Sequence, residues 1–249
     1  MFYFNKVAKH LVFTVNQKIR WFRLLFKGYF SRFESDTANN ILERVNVMHP
    51  TILDVGANIG LFSKAFANSR FKPKLILSFE PSTYVFSILK RVTKKYPTVR
   101  CFQLALSNKK GTTTLNMAVK PSGSIRVGLS HIGKTLNGQY LQEEVKTEAL
   151  DIVLELNQIT NVDLVKIDVE GAEGLVLEGA KSLLTNVRPI WFVEISDMGD
   201  RFQKNGKDVF NIFVNYNYVP HIYTPKGEFR EQRELVCGSN YLFIPSEKT

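Results

Sequence analysis

Residues 52–60 read ILDVGANIG, a short apolar strand that runs straight into a turn with glycines at positions 56 and 60. Glycine lets the backbone turn tightly and approach a ligand closely, where a Cβ atom would clash. The spacing G-x-x-x-G differs from the G-x-G-x-x-G that wraps the pyrophosphate of a dinucleotide. The segment therefore predicts a nucleotide-type pocket for a ligand without phosphates.

Outside this segment, short apolar strands alternate with helices from residue 51 onwards. The pattern predicts strands at 51–55, 74–79, 99–107, 162–168, 190–195, 218–223 and 241–244, with helices at 61–68, 84–95, 174–184 and 209–216. Further strands are expected at 112–119 and 145–150, and the glycine-containing segment 120–140 predicts a long loop. Such alternation implies a doubly wound α/β sheet that binds its ligand at the carboxyl ends of the strands.

The net charge of +10 is concentrated at the N-terminus. Residues 1–33 contain seven lysines and arginines and no acidic residue, which leaves about +3 for the rest of the chain. A body with so little charge is a poor polyanion binder, which argues against nucleic acid as a partner. Apolar positions recur at helical spacing through residues 4–29, so we expect amphipathic helices that pack on their own domain or lie on an anionic membrane.

Cysteine content and hydropathy restrict the cellular setting. Only Cys101 and Cys237 occur, so neither a disulfide framework nor a cysteine zinc site is supported. No apolar run approaches the roughly 20 residues that span a bilayer, and the N-terminus lacks the pattern of a secretory signal. These features predict a cytoplasmic protein, with peripheral membrane contact through residues 1–33 as a possible addition.

In two further segments, acidic residues lie at the ends of predicted strands. Glu80 follows the second strand, where a carboxylate can accept both ribose hydroxyls of an adenosine, although NAD would use the same feature. Residues 165–173 read VKIDVEGAE, and alternation along the strand places Lys166 and Asp168 on one face. Charged groups in an apolar strand need partners, so the two residues either satisfy one another or serve the ligand.

Together these segments resemble the FkbM family of methyltransferases. The resemblance rests on residues 52–60, 79–81 (FEP), 105–107 (ALS), 165–173, 176–180 (VLEGA) and 240–243 (NYLF). It implies a class I methyltransferase domain over residues 49–249, with a mostly parallel seven-stranded sheet containing one antiparallel strand. A basic helical segment at 1–48 would precede it. The implied donor is S-adenosylmethionine, and the implied acceptor is a hydroxyl oxygen on a sugar, glycan or natural product.

The resemblance also assigns residues to the donor by position. Asp168 would face the sulfonium and the acceptor. The implied cofactor-binding residues are Asp54, Gly56, Asn58 and Gly60 at the methionine end, Glu80 with Pro81 at the ribose, and Ala105 beside the adenine.

An alcohol acceptor must lose its proton, and a strand-end carboxylate or a histidine could take it. The candidates are Asp168, Glu194 at the end of the strand at 190–195, and His131 in the predicted loop. Histidine has a pKa suited to the role, although a loop histidine is often merely solvated. Asp168 and Glu194 could instead bind a divalent ion such as Mg²⁺ that acidifies the acceptor.

Three other functions are compatible with parts of the pattern. An NAD-dependent oxidoreductase would use the same sheet, but the missing G-x-G-x-x-G counts against it. A non-catalytic protein could act through the basic arm on membrane or nucleic acid. A nucleic-acid methyltransferase is disfavoured because the chain has no N/D-P-P-Y/F tetrapeptide to present a base amino group. Oligomeric state cannot be predicted from these features.

Overall fold

The computed structural model describes residues 14–133, 138–195 and 205–249. The strands are β1 (Thr51–Val55), β2 (Leu75–Phe79), β3 (Val99–Phe102), β4 (Ala105–Ser107), β5 (Gly111–Ala118), β6 (His131–Ile132), β7 (Tyr140–Ala149), β8 (Leu164–Ile167), β9 (Ile190–Ile195), β10 (Tyr218–Tyr223), β11 (Phe229–Glu231) and β12 (Ser239–Pro245). The helices are α1 (Val15–Phe30), α2 (Ser35–Val45), α3 (Leu61–Ala67), α4 (Thr83–Thr93), α5 (Leu150–Leu156), α6 (Glu173–Glu178) and α7 (Gly206–Asn215), with a π-helical turn at Leu183–Val187 and a 3₁₀ turn at Ser246–Lys248.

The main sheet has the strand order β11-β10-β12-β9-β8-β1-β2-β3. Strands β9, β8, β1, β2 and β3 are mutually parallel, and β12 lies antiparallel between β9 and β10. This is the predicted doubly wound class I arrangement. The carboxyl ends of the parallel strands share one edge, and ligands bind at that edge in such folds.

The predicted count of seven strands with one antiparallel member needs a correction. An eighth strand, β11, pairs antiparallel with β10 at the sheet edge, so two strands run against the parallel set. A tight turn after β10 returns the chain, with Gly227 in the left-handed region at φ 79°. The strand is three residues long and two of them are charged, so its apolar pattern was too short to predict. Its buried member, Phe229, joins the core.

Apolar clusters cover both faces of the main sheet. One contains Trp191, Phe213 and Phe243 beneath α5, α6 and α7, and the other contains Ile52 and Phe192 beneath α2 and α3. All five residues of β1 are buried, as expected for a central parallel strand covered on both sides. The central strands are therefore rigid supports for the residues at their ends.

A second sheet has the order β4-β7-β5-β6. The predicted strand at 99–107 divides, since Val99–Phe102 pairs with β2 whereas Ala105–Ser107 pairs with β7. The strand expected at 112–119 corresponds to β5. The prediction of a long loop at 120–140 is wrong in part, because His131–Ile132 pairs with β5 and β7 begins at residue 140; residues 134–137 lie outside the described part.

The N-terminal arm is helical where it is described, as predicted, and residues 1–13 lie outside the described part. Thr14 caps α1 in a reciprocal capping box with Gln17. Trp21 Nε1 donates to Ser87 Oγ at 2.8 Å, and Tyr84 Oη donates to the Gln17 carbonyl at 2.8 Å, so α1 is fastened to α4. Within the described ranges, no helix is long and apolar enough to cross a bilayer. The division at residues 48/49 stays a prediction.

Candidate active site

The glycine turn after β1 touches the end of β8. Gly56, Asn58 and Gly60 adopt φ values of 73°, 51° and 86°. A Cβ atom on Gly56 would lie 1.8 Å from the Asp168 carbonyl oxygen, so only glycine fits there. The two segments that the sequence singled out, 52–60 and 165–173, are therefore packed directly against one another.

A cleft opens at this junction, at the carboxyl ends of β1, β2 and β8. One wall comes from the main sheet and the other from the second sheet, which supplies Leu115 and Ile132. The predicted cofactor residues that line the cleft are Gly56, Asn58, Glu80, Pro81 and Ala105.

Glu80 is a buried carboxylate, 8% exposed, at the end of β2. Its two oxygens accept one backbone N–H each, from Asn58 at 3.1 Å and from Ser82 at 3.0 Å. Burial raises the pKa of Glu80 to about 7 despite these hydrogen bonds. Each carboxylate oxygen can accept a second hydrogen bond, which suits the two adjacent hydroxyls of a ribose.

A second polar atom in the cleft also fits a bound ligand. The Ser130 hydroxyl oxygen is buried and has no hydrogen-bond partner among the described residues. Buried polar groups are nearly always hydrogen-bonded. An orphaned hydroxyl in the cleft that Glu80 also lines is consistent with a nucleoside-type ligand that supplies the missing partner.

Asp54 and Gly60 do not line the cleft, and their place at the donor stays a prediction. Asp54 is fully buried, and its carboxylate accepts from Ser63 Oγ at 2.6 Å and lies 3.5 Å from Lys166 Nζ. A Cβ atom on Gly60 would lie 2.8 Å from a Leu89 methyl carbon, so this glycine permits α3 to pack against α4. Both residues therefore stabilise the glycine turn at residues 56–60 through contacts outside the cleft.

Lys166 links Asp168, Asp54 and the glycine turn electrostatically. Its ammonium lies 3.3 Å from Asp168 Oδ2 and 3.5 Å from Asp54 Oδ1, and it donates to the Gly56 carbonyl at 3.0 Å. Burial alone would lower the pKa of Lys166, but the Asp168 and Asp54 carboxylates outweigh it and raise that pKa. The lysine therefore stays charged and holds Asp168 and the glycine turn in place.

Asp168 and Glu194 form a pair of acids at the ends of β8 and β9. Burial, followed by the charge and hydrogen bond of Asp168, raises the pKa of Glu194 to about 7, against a lowering influence of Lys166. A carboxyl group with this pKa exchanges its proton near neutral pH. It is therefore suited to general acid–base chemistry.

A second cavity lies next to the cleft. Both Asp168 and Glu194 line the cleft and this cavity, so the acid pair marks where the two meet. Aromatic rings from Phe62, Phe192 and Tyr223 form part of its wall. Its other polar lining residues are Glu34, Thr37, Lys166 and Asn240.

The comparison with known proteins identifies the family. The family model for the methyltransferase FkbM domain matches residues 54–220. The chain belongs to the FkbM methyltransferase family. The matched range includes residues 54–60, residues 165–173 and the acid pair, and it omits α1 and α2 (Val15–Val45).

Curated relatives of this FkbM-family protein carry methyltransferase names. The chain is 29% identical over 160 residues to the 2-O-methyltransferase NoeI of Sinorhizobium fredii, a match that covers 59% of this chain and 64% of that protein. It is 29% identical over 159 residues to the methyltransferase sdnD of Sordaria araneosa, covering 53% and 60% respectively. The matches thus span less than two thirds of these relatives' length.

Solved structures support the fold. A methyltransferase FkbM from Methylobacillus flagellatus superposes with a TM-score of 0.52 at 11% identity, covering 91% of this chain and 59% of that chain. The cofactor-bound Rv0187 from MTB superposes with a TM-score of 0.50 at 9% identity, covering 95% and 92%. At such identities the likeness concerns the fold alone.

Glu34 is one residue of this FkbM-family site that the sequence did not indicate, and Ser130 is another. Glu34 follows α1 in a polar stretch that reads as a linker, yet it lines the second cavity with Asp168 and Glu194. Burial raises the pKa of Glu34, and Lys166 opposes that shift. Asn240 belongs to the segment 240–243 that carried the family resemblance, so a signal for it existed.

His131 is a buried member of β6 in the FkbM-family site. It lines the cleft but not the second cavity, and its side chain is 1% exposed with Nδ1 3.3 Å from the Leu129 carbonyl. It is therefore not a solvated loop histidine, and its role as a base stays a prediction. No group of three or more His, Cys, Asp or Glu side chains in the described residues is arranged to hold a metal ion.

Proposed function

We propose that this protein transfers a methyl group from S-adenosylmethionine to a hydroxyl oxygen of a small-molecule or glycan acceptor, such as a sugar or a natural product. The observation that carries the proposal is the acid pair, Asp168 and Glu194, which lines both the donor cleft and the second cavity. A transferase of this kind needs two pockets that meet at the reacting atoms, because methyl transfer is an in-line displacement.

The donor cleft supplies the binding groups. Glu80 would accept the ribose hydroxyls, Ser130 offers a hydroxyl without a partner, and Gly56 lets the backbone approach the ligand. Bound S-adenosylmethionine would supply an electrophilic methyl group on a positively charged sulfur. The apolar wall from Leu115 and Ile132 would exclude water from the adenosine.

The second cavity supports a hydroxylated acceptor. Aromatic rings pack against the apolar face of a sugar or polycyclic ring, while carboxylate and amide groups such as Glu34 and Asn240 bind hydroxyls. Glu194 would take the proton of the attacking hydroxyl, since its pKa of about 7 lets it accept a proton at neutral pH. The name of the relative NoeI, a 2-O-methyltransferase, supports oxygen as the accepting atom.

The alternatives receive less support. The family match favours methyl transfer over an NAD-dependent oxidoreductase. Deletion of residues 1–33 tests whether the arm alone is the active part: if donor binding and methyl transfer survive, the arm serves localisation or assembly. Steep salt dependence of binding to mixed oligonucleotides would instead revive a nucleic-acid substrate.

Calorimetry with S-adenosylhomocysteine and NAD, followed by tritium transfer from labelled donor to panels of glycans and hydroxylated small molecules, tests the proposal. We expect S-adenosylhomocysteine to bind, NAD not to bind, and label to enter a hydroxylated acceptor. Binding of NAD alone would refute the donor, and transfer only to nitrogen or carbon acceptors would refute the oxygen assignment.

Glu80→Gln provides the matched test of the donor cleft, with Glu143→Gln as its control. Both glutamates are buried and both accept a backbone N–H near the start of α4, but Glu143 does not line the cleft. We expect Glu80→Gln to weaken S-adenosylhomocysteine binding roughly tenfold, as loss of a charged hydrogen-bond acceptor implies. The Glu143 variant should bind nearly as the parent does.

A further inference from the structure

Helix α1 has an apolar face that points away from the protein. The side chains on this face recur every three or four residues, which places them along one side of the helix. Phe22 and Phe26 are each 66% exposed and Phe30 is 68% exposed. We call this set the outer face; its members are Val15, Ile19, Phe22, Phe26 and Phe30.

Packing against the domain does not use the outer face. The opposite side of α1 contacts α4, where Leu24 is buried in an apolar cluster with Ile88 and Val92 and Trp21 packs against that cluster. A Cβ atom on Gly28 would lie 2.4 Å from a Val92 methyl carbon, so the two helices are in close contact. The helix thus has two apolar sides, and only one of them is needed to hold it in place.

Basic side chains flank the outer face. Lys18, Arg23 and Lys27 are exposed on α1, and the helix contains no acidic residue. A helix that combines exposed phenylalanines with lysine and arginine is the type that lies in the headgroup region of a membrane. We propose that the outer face of α1 docks on the surface of an anionic lipid bilayer.

Charge distinguishes a bilayer from the other occupants of such a face. A second copy of the chain packed through the same face would bring two sets of these basic residues together without acidic partners. Residues 1–13 carry Lys6 and Lys9 and no acidic residue, so they add to the positive charge. Anionic lipid headgroups would neutralise the basic side chains beside the outer face. The phenylalanine side chains would insert at the boundary between the headgroups and the acyl chains.

Co-sedimentation of the full chain with vesicles tests the proposal. We expect binding to phosphatidylcholine vesicles that contain phosphatidylglycerol and weak binding to pure phosphatidylcholine vesicles. Phe22→Ser with Phe26→Ser should weaken binding roughly tenfold or more, because the inserted apolar area is lost. Arg23→Gln with Lys27→Gln should weaken it roughly fivefold per charge, and added salt should reduce what remains.

Leu156→Ser is the matched control, since Leu156 is 73% exposed on α5, an element remote from α1 in the fold. It should leave vesicle binding unchanged, and unchanged thermal unfolding of each variant establishes that it is folded. Vesicle binding does not require catalysis, so the outcome is independent of the proposed methyl transfer. Equal binding to neutral vesicles, no vesicle binding, or a lipid-free dimer abolished by the phenylalanine substitutions would overturn the proposal.

Discussion

Replacing Lys166 with methionine should destabilise the protein strongly, for an electrostatic reason. Methionine nearly matches the volume of lysine but removes the ammonium that lies between two carboxylates and the Gly56 carbonyl. Asp54 is fully buried and would lose its only cationic partner among the described residues, whereas the Asp168 side chain is 34% exposed and can be hydrated. The cost therefore falls mainly on Asp54.

Breaking a buried ion pair from one side typically costs about 3–5 kcal/mol. For a chain of this size each kcal/mol lowers Tm by about 2–4 °C, so Lys166→Met should lower Tm by roughly 6–20 °C. Urea unfolding followed by circular dichroism measures the free energy directly. Arg233→Met is the control, because the Arg233–Glu231 pair is exposed and such pairs contribute about 0–1 kcal/mol.

A second substitution tests whether the uncompensated charge of Asp54 causes the loss of stability. Asp54→Asn removes the buried negative charge, so adding it to Lys166→Met should restore about 2 kcal/mol or more of the loss. A cost under about 1 kcal/mol for Lys166→Met would contradict an electrostatic origin of the loss. A double variant no more stable than the single one would also contradict it, since the loss would then come from packing.

Three further outcomes concern the proposed chemistry. Affinity for S-adenosylhomocysteine, measured by calorimetry, should fall as the pH drops below 7 and level off roughly tenfold lower, because the ribose hydroxyls would bind the ionised form of Glu80, whose pKa is about 7, more tightly than the neutral form; a flat profile from pH 5.5 to 8 would contradict this. Glu194→Gln should lower kcat by roughly 10²–10⁴-fold with KM little changed, and it should abolish the acidic limb of the pH–rate profile near pH 7. If the acidic limb is unaltered, another group is the base. Methyl transfer should persist in EDTA, because the Lys166 ammonium already balances the negative charge of Asp168. A loss of activity in EDTA that Mg²⁺ restores would instead place a metal at Asp168 and Glu194.

The central strands were predictable because burial on both faces leaves a continuous apolar run. The strand at 51–55 agrees with β1 residue for residue. β6 was not predictable, since a two-residue strand has no period of its own and exists only through pairing with Leu115 and Asn116. β11 escaped prediction for the same reason.

Site residues at the ends of parallel strands were predictable from the sequence. Site residues that are positioned by contacts between distant parts of the chain were not. Glu80, Asp168 and Glu194 could be placed together because their strands end at one edge of the sheet. Neither segment alone specifies the register that pairs Asp54 on β1 with Lys166 on β8. Glu34 reaches the second cavity only because α1 and α2 dock on the domain, a contact between distant parts of the chain.

The second sheet makes the donor cleft an interface between two separately hydrogen-bonded layers. Leu115 and Ile132 come from the four-stranded sheet, whereas Gly56 and Glu80 come from the eight-stranded one. A ligand that contacts both layers acts as a clamp, and its binding energy opposes their separation. Backbone amides of β5 and β7 should therefore exchange hydrogen more slowly with S-adenosylhomocysteine bound, although neither strand belongs to the central sheet.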